Sequence, residues 1–455
     1  MQIRNGAMCR AQCAPFNKND GQRRPVWTQQ QDFISKWVRR APLASSPMLN
    51  RLWASLILIA AFAGAVHAIL HGGGTINAMA EALFDSAKTG VDMSIGLISA
   101  LALWLGVFQI AEDAGLVRKL ARLLAPILGR LMPDVPRDHP AFASIGMNVS
   151  MSMLGIDNGA LPSGLKAMEQ LESLNATAAT ASRAQQMFLV YMTTSVTVFP
   201  VSILGYRVQA GAAHPADVFL PLLIASYVGL FVGLAYMAVV QRIRLFDPVL
   251  LVGSLLFVTA LCAITWFVGS LAPKEASAAV ALLGNAILLF AVVLFVAVAW
   301  LRRVPVYDSF LRGAKQGFGL AIDLIPYVVG MLVAIGLLRA SGAFSMLLEG
   351  LAWCLTSAGL DARWALGMPQ GIMKSFSGGG ANAMMLDAFK TQGPDSFAGH
   401  LSSVIQGASD TTFYILAACA GAAKLKNLGH AVTGSVIADI ASFIAAVFCA
   451  QLFFG

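Results

Sequence analysis

The stretch Asn148–Glu169, NVSMSMLGIDNGALPSGLKAME, decides how the rest of the chain is read. Apolar runs flank it, yet it carries Asn148, Ser150, Ser152, Asp157 and Asn158. Gly155, Gly159, Pro162 and Gly164 interrupt any helix that starts inside it. A second stretch of the same character lies downstream, Lys374–Phe389, KSFSGGGANAMMLDAF, with Ser375, Ser377 and Asn382 around its glycines. Paired, interrupted polar segments in corresponding halves of a membrane protein point to a transport site. The polar residues just named are therefore candidate solute-binding residues, because they offer donors and acceptors where lipid offers none.

Composition supports a membrane setting. The 455 residues are 57% hydrophobic and 12% charged, with mean hydropathy +0.71, whereas a soluble domain carries about 25% charged residues. The net charge of +8 is concentrated towards the first fifty residues. In a soluble chain that would raise nucleic-acid binding; here it reads as a cytoplasmic basic segment under the positive-inside rule, with no nucleic-acid partner. Cys9, Cys13, Cys262, Cys354, Cys419 and Cys449 show no disulfide framework, and neither they nor the scattered histidines show metal-ligand spacing.

Outward from the two polar stretches, runs near the ~20 residues needed to cross a bilayer mark about nine transmembrane helices. They are Leu52–Leu70, Val91–Ala111, Met187–Gly205, Ala216–Val240, Val249–Gly269, Ala276–Trp300, Leu320–Leu338, Leu401–Ala423 and Val432–Phe454. Residues 1–47 are polar and basic and read as a disordered cytoplasmic extension. A start at Met48 would give Leu52–Ala68 the look of a signal peptide; an uncleaved span is expected instead. Leu116–Met132, LVRKLARLLAPILGRLM, sets Arg and Lys against Leu at helical spacing and reads as an interfacial helix, with Phe344–Leu355 as its counterpart. Basic residues then favour a cytoplasmic N-terminus and an outside C-terminus, with Lys374 among the outside charges. The fold class is an all-α integral membrane protein in which two broken, re-entrant segments enter and leave on one side.

The order of features recurs. AKTG at Ala87–Gly90 and AKQG at Ala314–Gly317 each open a span. Each span is followed by an amphipathic piece, a broken polar segment, a hydroxyl-rich span (TTSVT at Thr193–Thr197, SDTT at Ser409–Thr412), a His and a final span. An odd number of crossings separates the two units, so they insert in opposite directions, a recurrent plan in secondary transporters. Residues 48–245 form the first unit, 246–303 a linking transmembrane pair and 304–455 the second unit.

ALWLGVFQIAEDAGLV and MLGIDNGALPSGLKAMEQLESLN make the first unit resemble the spore maturation protein A family. SFSGGGANAMM, GPDSF and QGASDTTFYILA make the second resemble spore maturation protein B. The resemblance covers Met48–Phe454. Both belong to the wider nucleoside-recognition, or Gate, group, which is similar to parts of concentrative nucleoside transporters and of the ferrous-iron transporter. Asp157, Gly159 and Gly379 depart from the usual forms of the two motifs. The resemblance implies an inner-membrane protein and leaves room for a homo-oligomer.

Asp410, in QGASDTTFY near the start of a span, is a candidate for sodium binding with Thr411 and Thr412, or for carrying a proton; the alternative is a helix cap. Asp439 and Asp323 are similar cases. Thr194 and Ser195 join the coupling candidates, though hydroxyls before Pro200 also serve to repair broken backbone bonds. Lys166 with Glu169, and Asp387 with Lys390, read as surface ion pairs. No GxxxxGK[ST], HExxH, GxSxG or CxxC motif is present, so no catalytic residue or cofactor is named beyond a sodium ion or proton. The expectation is a secondary transporter or channel-like permease for a small polar or anionic, nucleoside-like solute. The alternative is a non-transporting scaffold that acts with cell-envelope or spore-maturation machinery.

Overall fold

The computed structural model describes residues 47–71, 74–136, 138–153, 157–177, 179–243 and 273–455, with 255, 259 and 263 as isolated positions. The expected basic extension and the expected span Val249–Gly269 therefore lie almost wholly outside the described residues. What is described is helical, with one isolated bridge between Thr180 and Asn427.

Among the described residues, six helices are long and apolar enough to cross a bilayer: α1 (Pro47–His71), α2 (Gly74–Asp113), α8 (Phe219–Val240), α9 (Pro273–Leu301), α10 (Val306–Ala340) and α16 (Ala431–Phe454). Their outer faces expose Leu58, Phe62, Phe84, Leu289, Phe290 and Trp300, which suits lipid and not water. The protein is an all-α, multi-pass integral membrane protein. At ~1.5 Å per residue, α2 and α10 exceed a ~30 Å hydrocarbon core and extend past it or tilt.

Two spans expected to be continuous are broken. In place of Met187–Gly205, α6 (Arg183–Thr193) stops, the chain runs non-helically to Pro200, and α7 (Val201–Gln209) resumes. The β-branched run Thr193, Thr194, Val196, Thr197 disfavours helix, and Pro200 has no N–H to donate. In place of Leu401–Ala423, α14 (Phe397–Ala408) and α15 (Thr412–Ala422) are separated by Ser409–Thr411. There the Asp410 carboxylate accepts the Thr411 N–H at 2.6 Å, a local bond that competes with the helical ladder.

The two polar stretches fold as helical hairpins: α4 (Pro140–Met153) with α5 (Asp157–Glu172), and α12 (Met368–Phe376) with α13 (Gly378–Gln392). The amphipathic pieces are α3 (Leu116–Leu131) and α11 (Ala343–Ser357). Each follows a left-handed corner, Gly115 at φ 70° and Gly342 at φ 80°, where a side chain would be strained. Helix α3 turns Val117, Leu128 and Leu131 inward and exposes Arg118, Lys119, Arg122 and Arg130.

Helices α2 and α10 cross antiparallel: Gly90 lies against Val329, Leu101 against Gly317 and Leu105 against Gly313. A Cβ at Gly313 would sit 2.1 Å from the Leu105 carbonyl oxygen, and one at Gly317 2.4 Å from that of Leu101. Small residues let these backbones approach, as membrane helices require without a hydrophobic driving force between them. The glycines of AKTG and AKQG are thus both contact residues. Helices α8 and α16 cross the same way, Gly229 against Ser442 and Gly434 against Met237. Leu97, Leu222, Leu386 and Leu401 share one core, so both units build it together.

Candidate functional site

The two breaks meet. The backbone N–H of Asp410 donates to the Thr193 carbonyl at 3.0 Å. Around this junction lies a cavity of about 110 Å³. Ser195, Thr197 and Ser202 line it from the first break, Gln406, Ser409 and Asp410 from the second, and Lys374 and Asn382 from the α12–α13 hairpin. A cavity of about 10–15 Å³ already holds one water, so this space holds several, or one small solute.

Its electrostatics come from three sources. Helices α7 and α15 begin beside it at Val201 and Thr412, and neither start has a side-chain cap; their N-terminal dipoles present partial positive charge. Lys374, only 7% exposed, donates from Nζ to the Gln406 carbonyl at 2.8 Å. That carbonyl belongs to the last turn of α14, the negative end of its dipole, which suits a cation. Asp410 supplies the opposing charge. The combination can hold a small anion, or a solute with both acceptor and donor groups.

Behind Lys374 lies a second cavity of about 10 Å³, lined also by Ser409, Asp439 and Ser442. Asp439 Oδ2 accepts from Ser375 Oγ at 2.6 Å and Thr412 Oγ1 at 2.8 Å. Asp439 Oδ1 is buried and has no hydrogen-bond partner among the described residues.

The candidate residues separate into groups. Asn382, Ser195 and Asp410 line the larger cavity. Ser375 and Thr412 instead hold Asp439, and Ser377 caps α13 by accepting the Gly380 N–H at 3.0 Å. Thr411 is buried and sits at the α15 start, and Thr194 returns its hydroxyl to the Val190 carbonyl at 2.7 Å. Asn148 ties α4 to α5 through the Ala160 carbonyl at 2.7 Å, Ser150 bonds the Gly146 carbonyl at 2.7 Å, and Ser152 is buried. None of these three lines the cavity. Asp157 and Asn158 open α5, but their side chains lie outside the described residues, as does that of Asp323. The first hairpin reaches the junction at Met153, whose carbonyl accepts the Val198 N–H at 2.8 Å.

Ser409 belongs to the SDTT run already marked, but Lys374 and Gln406 were not singled out as site residues by the sequence pattern. Lys374 reads as an outside loop charge there; in the fold it is buried, because α12 carries it into the protein. The visible signal was an ionisable residue next to the Ser375–Ser377 break. Asp387 is likewise buried, and pairs with Arg339 instead of forming the expected surface pair with Lys390.

A second polar cluster joins the two units through their loops. Arg207, 0% exposed, donates to Asp217 at 2.9 Å, Asp395 at 3.2 Å, the Pro394 carbonyl at 2.8 Å and the Pro215 carbonyl at 3.2 Å. His400 Nε2 lies 2.9 Å from Asp217. Asp217, Asp395 and His400 have metal-ligand atoms within 4.8 Å of one another, but the guanidinium already sits on both carboxylates, so the group is an ion-pair network.

The chain is 36% identical over 181 residues to spore maturation protein A of Bacillus subtilis (strain 168), covering 40% of this chain and 89% of that protein. It is 38% identical over 155 residues to spore maturation protein B of the same organism, covering 34% of this chain and 85% of that protein. The chain belongs to the spore maturation protein A/B family. It is similar to both members at once, as the fused pair of units implies. No family model and no solved structure matches the chain. In this spore maturation A/B chain, GPDSF supplies Pro394 and Asp395 to the Arg207 cluster, and QGASDTTFY supplies the second break.

Proposed function

We propose that this protein is a secondary transporter of the Gate type, located in the cell inner membrane, that binds a small anionic or polar solute in the junction cavity. The observation that carries the reading is the buried Lys374 at the meeting point of two interrupted membrane helices. Irregular backbone at membrane depth is tolerated where it lines a cavity, and an intramembrane ionisable residue marks a solute or ion pathway by default. The antiparallel crossings of α2 with α10 and α8 with α16 support two inverted units, the plan on which alternating access is built. Uptake is driven by an ion gradient in this reading, since no nucleotide-binding motif is available. The N-terminus is cytoplasmic and the C-terminus outside.

The test is uptake by proteoliposomes from panels of carboxylates, phosphates, nucleosides and metal ions, comparing wild type with Lys374→Met and Asn382→Ala. Uptake of an anionic member, lowered at least tenfold by Lys374→Met and less by Asn382→Ala, is expected. Robust uptake untouched by both substitutions would remove the cavity as the site.

A further inference from the structure

We propose that Asp439 and Lys374 form a proton-coupling pair, which makes the carried species an anion together with one proton. The inference rests on the transporter reading above and assigns its driving ion. Lys374 lines both cavities: on one side the 110 Å³ junction, on the other the small space it shares with Asp439. One lysine therefore borders both the proposed anion site and the Asp439 carboxylate.

Without solute, Lys374 shares the small cavity with Asp439, and its charge bears on that carboxylate from there. Oδ2 accepts from Ser375 and Thr412, the Ser409 hydroxyl also lies against the carboxylate, and Oδ1 is buried with no hydrogen-bond partner among the described residues. When an anion enters the larger cavity, the ammonium becomes its counter-ion. Asp439 is then left charged in a low-dielectric site, which is costly unless the group takes up a proton. Oδ1 is the open atom to receive it. The balance is complete: one anion and one proton enter from one side, Lys374 passes from carboxylate to anion, and Asp439 becomes a neutral acid. Release of both on the other side returns Asp439 to its ionised form beside Lys374, and one negative and one positive charge have moved together.

Other charges near Asp439 are few. Lys374 comes from α12, and Asp410 from the α14–α15 junction lines the larger cavity. His400 on α14 is held by Asp217. Helices α8 and α15 carry no charged residue, and the charge on α6, Arg183, faces Gln241 and Asp134. On α16 itself Asp439 is the sole charged residue, and the other titratable group there is the buried thiol of Cys449. Lys274 and Glu275 open α9, with side chains outside the described residues.

The first test needs no solute. Infrared difference spectra of the full-length protein in liposomes at pH 7, wild type minus Asp439→Asn, should show an ionised carboxylate. Lys374→Gln minus Lys374→Gln/Asp439→Asn should show a protonated carboxyl instead. Lys374→Met serves as the second variant if the glutamine form does not fold. A protonated Asp439 in wild type, or an ionised one after loss of Lys374, overturns the proposal. The second test follows uptake of any transported panel anion with an entrapped pH dye. Wild type should acidify the lumen with one proton per anion. Asp439→Asn should still exchange anion for anion but lose accumulation driven by a pH gradient. The expected spectra with no uptake of any panel member would overturn the transporter reading and the coupling role with it. Uptake whose proton movement survives Asp439→Asn would overturn the pair alone.

Discussion

Replacing Arg207 with methionine should be the most destabilising single change that leaves the junction cavity intact. The guanidinium is fully buried and donates to two carboxylates and two loop carbonyls, with Ser403 Oγ a further acceptor at 3.4 Å. The partners come from both units: Pro215 and Asp217 precede α8, while Pro394, Asp395 and Ser403 lie at and before α14. The two carboxylates are not equivalent. The Asp217 side chain is 6% exposed and that of Asp395 is 42% exposed. Water replaces the lost cation at Asp395 but not at Asp217. Removing one partner of a buried pair costs about 3–5 kcal/mol, and about 1.4 kcal/mol is tenfold in an equilibrium constant. Arg207→Met should therefore lower the folded-to-unfolded ratio by two to three powers of ten or more. Asp395→Asn should cost only about 0–1 kcal/mol, as exposed pairs do. Adding Asp217→Asn to Arg207→Met should recover most of the loss, because it removes the uncompensated charge. Reversible denaturant unfolding in mixed micelles, followed by tryptophan fluorescence, measures all four proteins. A cost below about 1 kcal/mol for Arg207→Met, or equal costs for the two aspartates, would refute the burial argument.

Other expectations follow from particular contacts. Gly313→Ala should destabilise by about 1–3 kcal/mol, since its Cβ would meet backbone and not a movable side chain. Gly350→Ala, with nothing within 4 Å, should be neutral or stabilise by about 0.5–1 kcal/mol in the same unfolding assay. Asn148→Ala should cost about 0.5–1.5 kcal/mol and leave solute binding unchanged, because the Ala160 carbonyl keeps Ser163 as a donor and Asn148 does not line the cavity. Single cysteines at Arg303 and Lys390, in a cysteine-free background, should be alkylated from opposite sides of intact cells, the first only from the cytoplasm. Labelling of both from one side would overturn the assigned orientation.

Much of the architecture was legible from periodicity and from glycine. The order span, amphipathic piece, broken polar segment, hydroxyl-rich span and final span reappears as helices, and the glycines of AKTG and AKQG sit at the α2–α10 crossing. The hydroxyl-rich spans were legible as hydrophobic runs but not as broken ones. Hydropathy averages over Thr193–Pro200 and over Ser409–Thr411, and a break a few residues long barely lowers the mean. The site was half legible for a related reason. Polarity marks residues that need partners, and it does not say whether a partner is a neighbouring helix or a solute. Asn148 and Ser150 found theirs within the first hairpin. Lys374 was masked by its setting beside the glycines of a hairpin, where a lysine looks like a loop charge. Its burial depends on α14, which follows it in the chain and supplies the Gln406 carbonyl.

The two units share an order of elements and differ in charge, and that difference bears on how such a fold would work. Helix α4, PAFASIGMNVSMSM, carries no charged residue, and neither does α8. Their counterparts by order, α12 and α16, carry Lys374 and Asp439. Inverted repeats give a protein two arrangements related by exchange of its halves, which is why the backbone can present one site to either side. A charged pair on the symmetry axis would experience the same surroundings in both arrangements and would bind equally well in each. A pair confined to one unit experiences different surroundings when the halves exchange. A ligand shifts a conformational equilibrium only through differential affinity for its two states. On the proposed reading, the asymmetry of Lys374 and Asp439 is therefore what lets solute and proton bias an otherwise balanced scaffold. Moving the charges to the first unit, with Lys374→Met and Asp439→Asn offset by a lysine and an aspartate on α4 and α8, should reverse the side from which acid accelerates uptake.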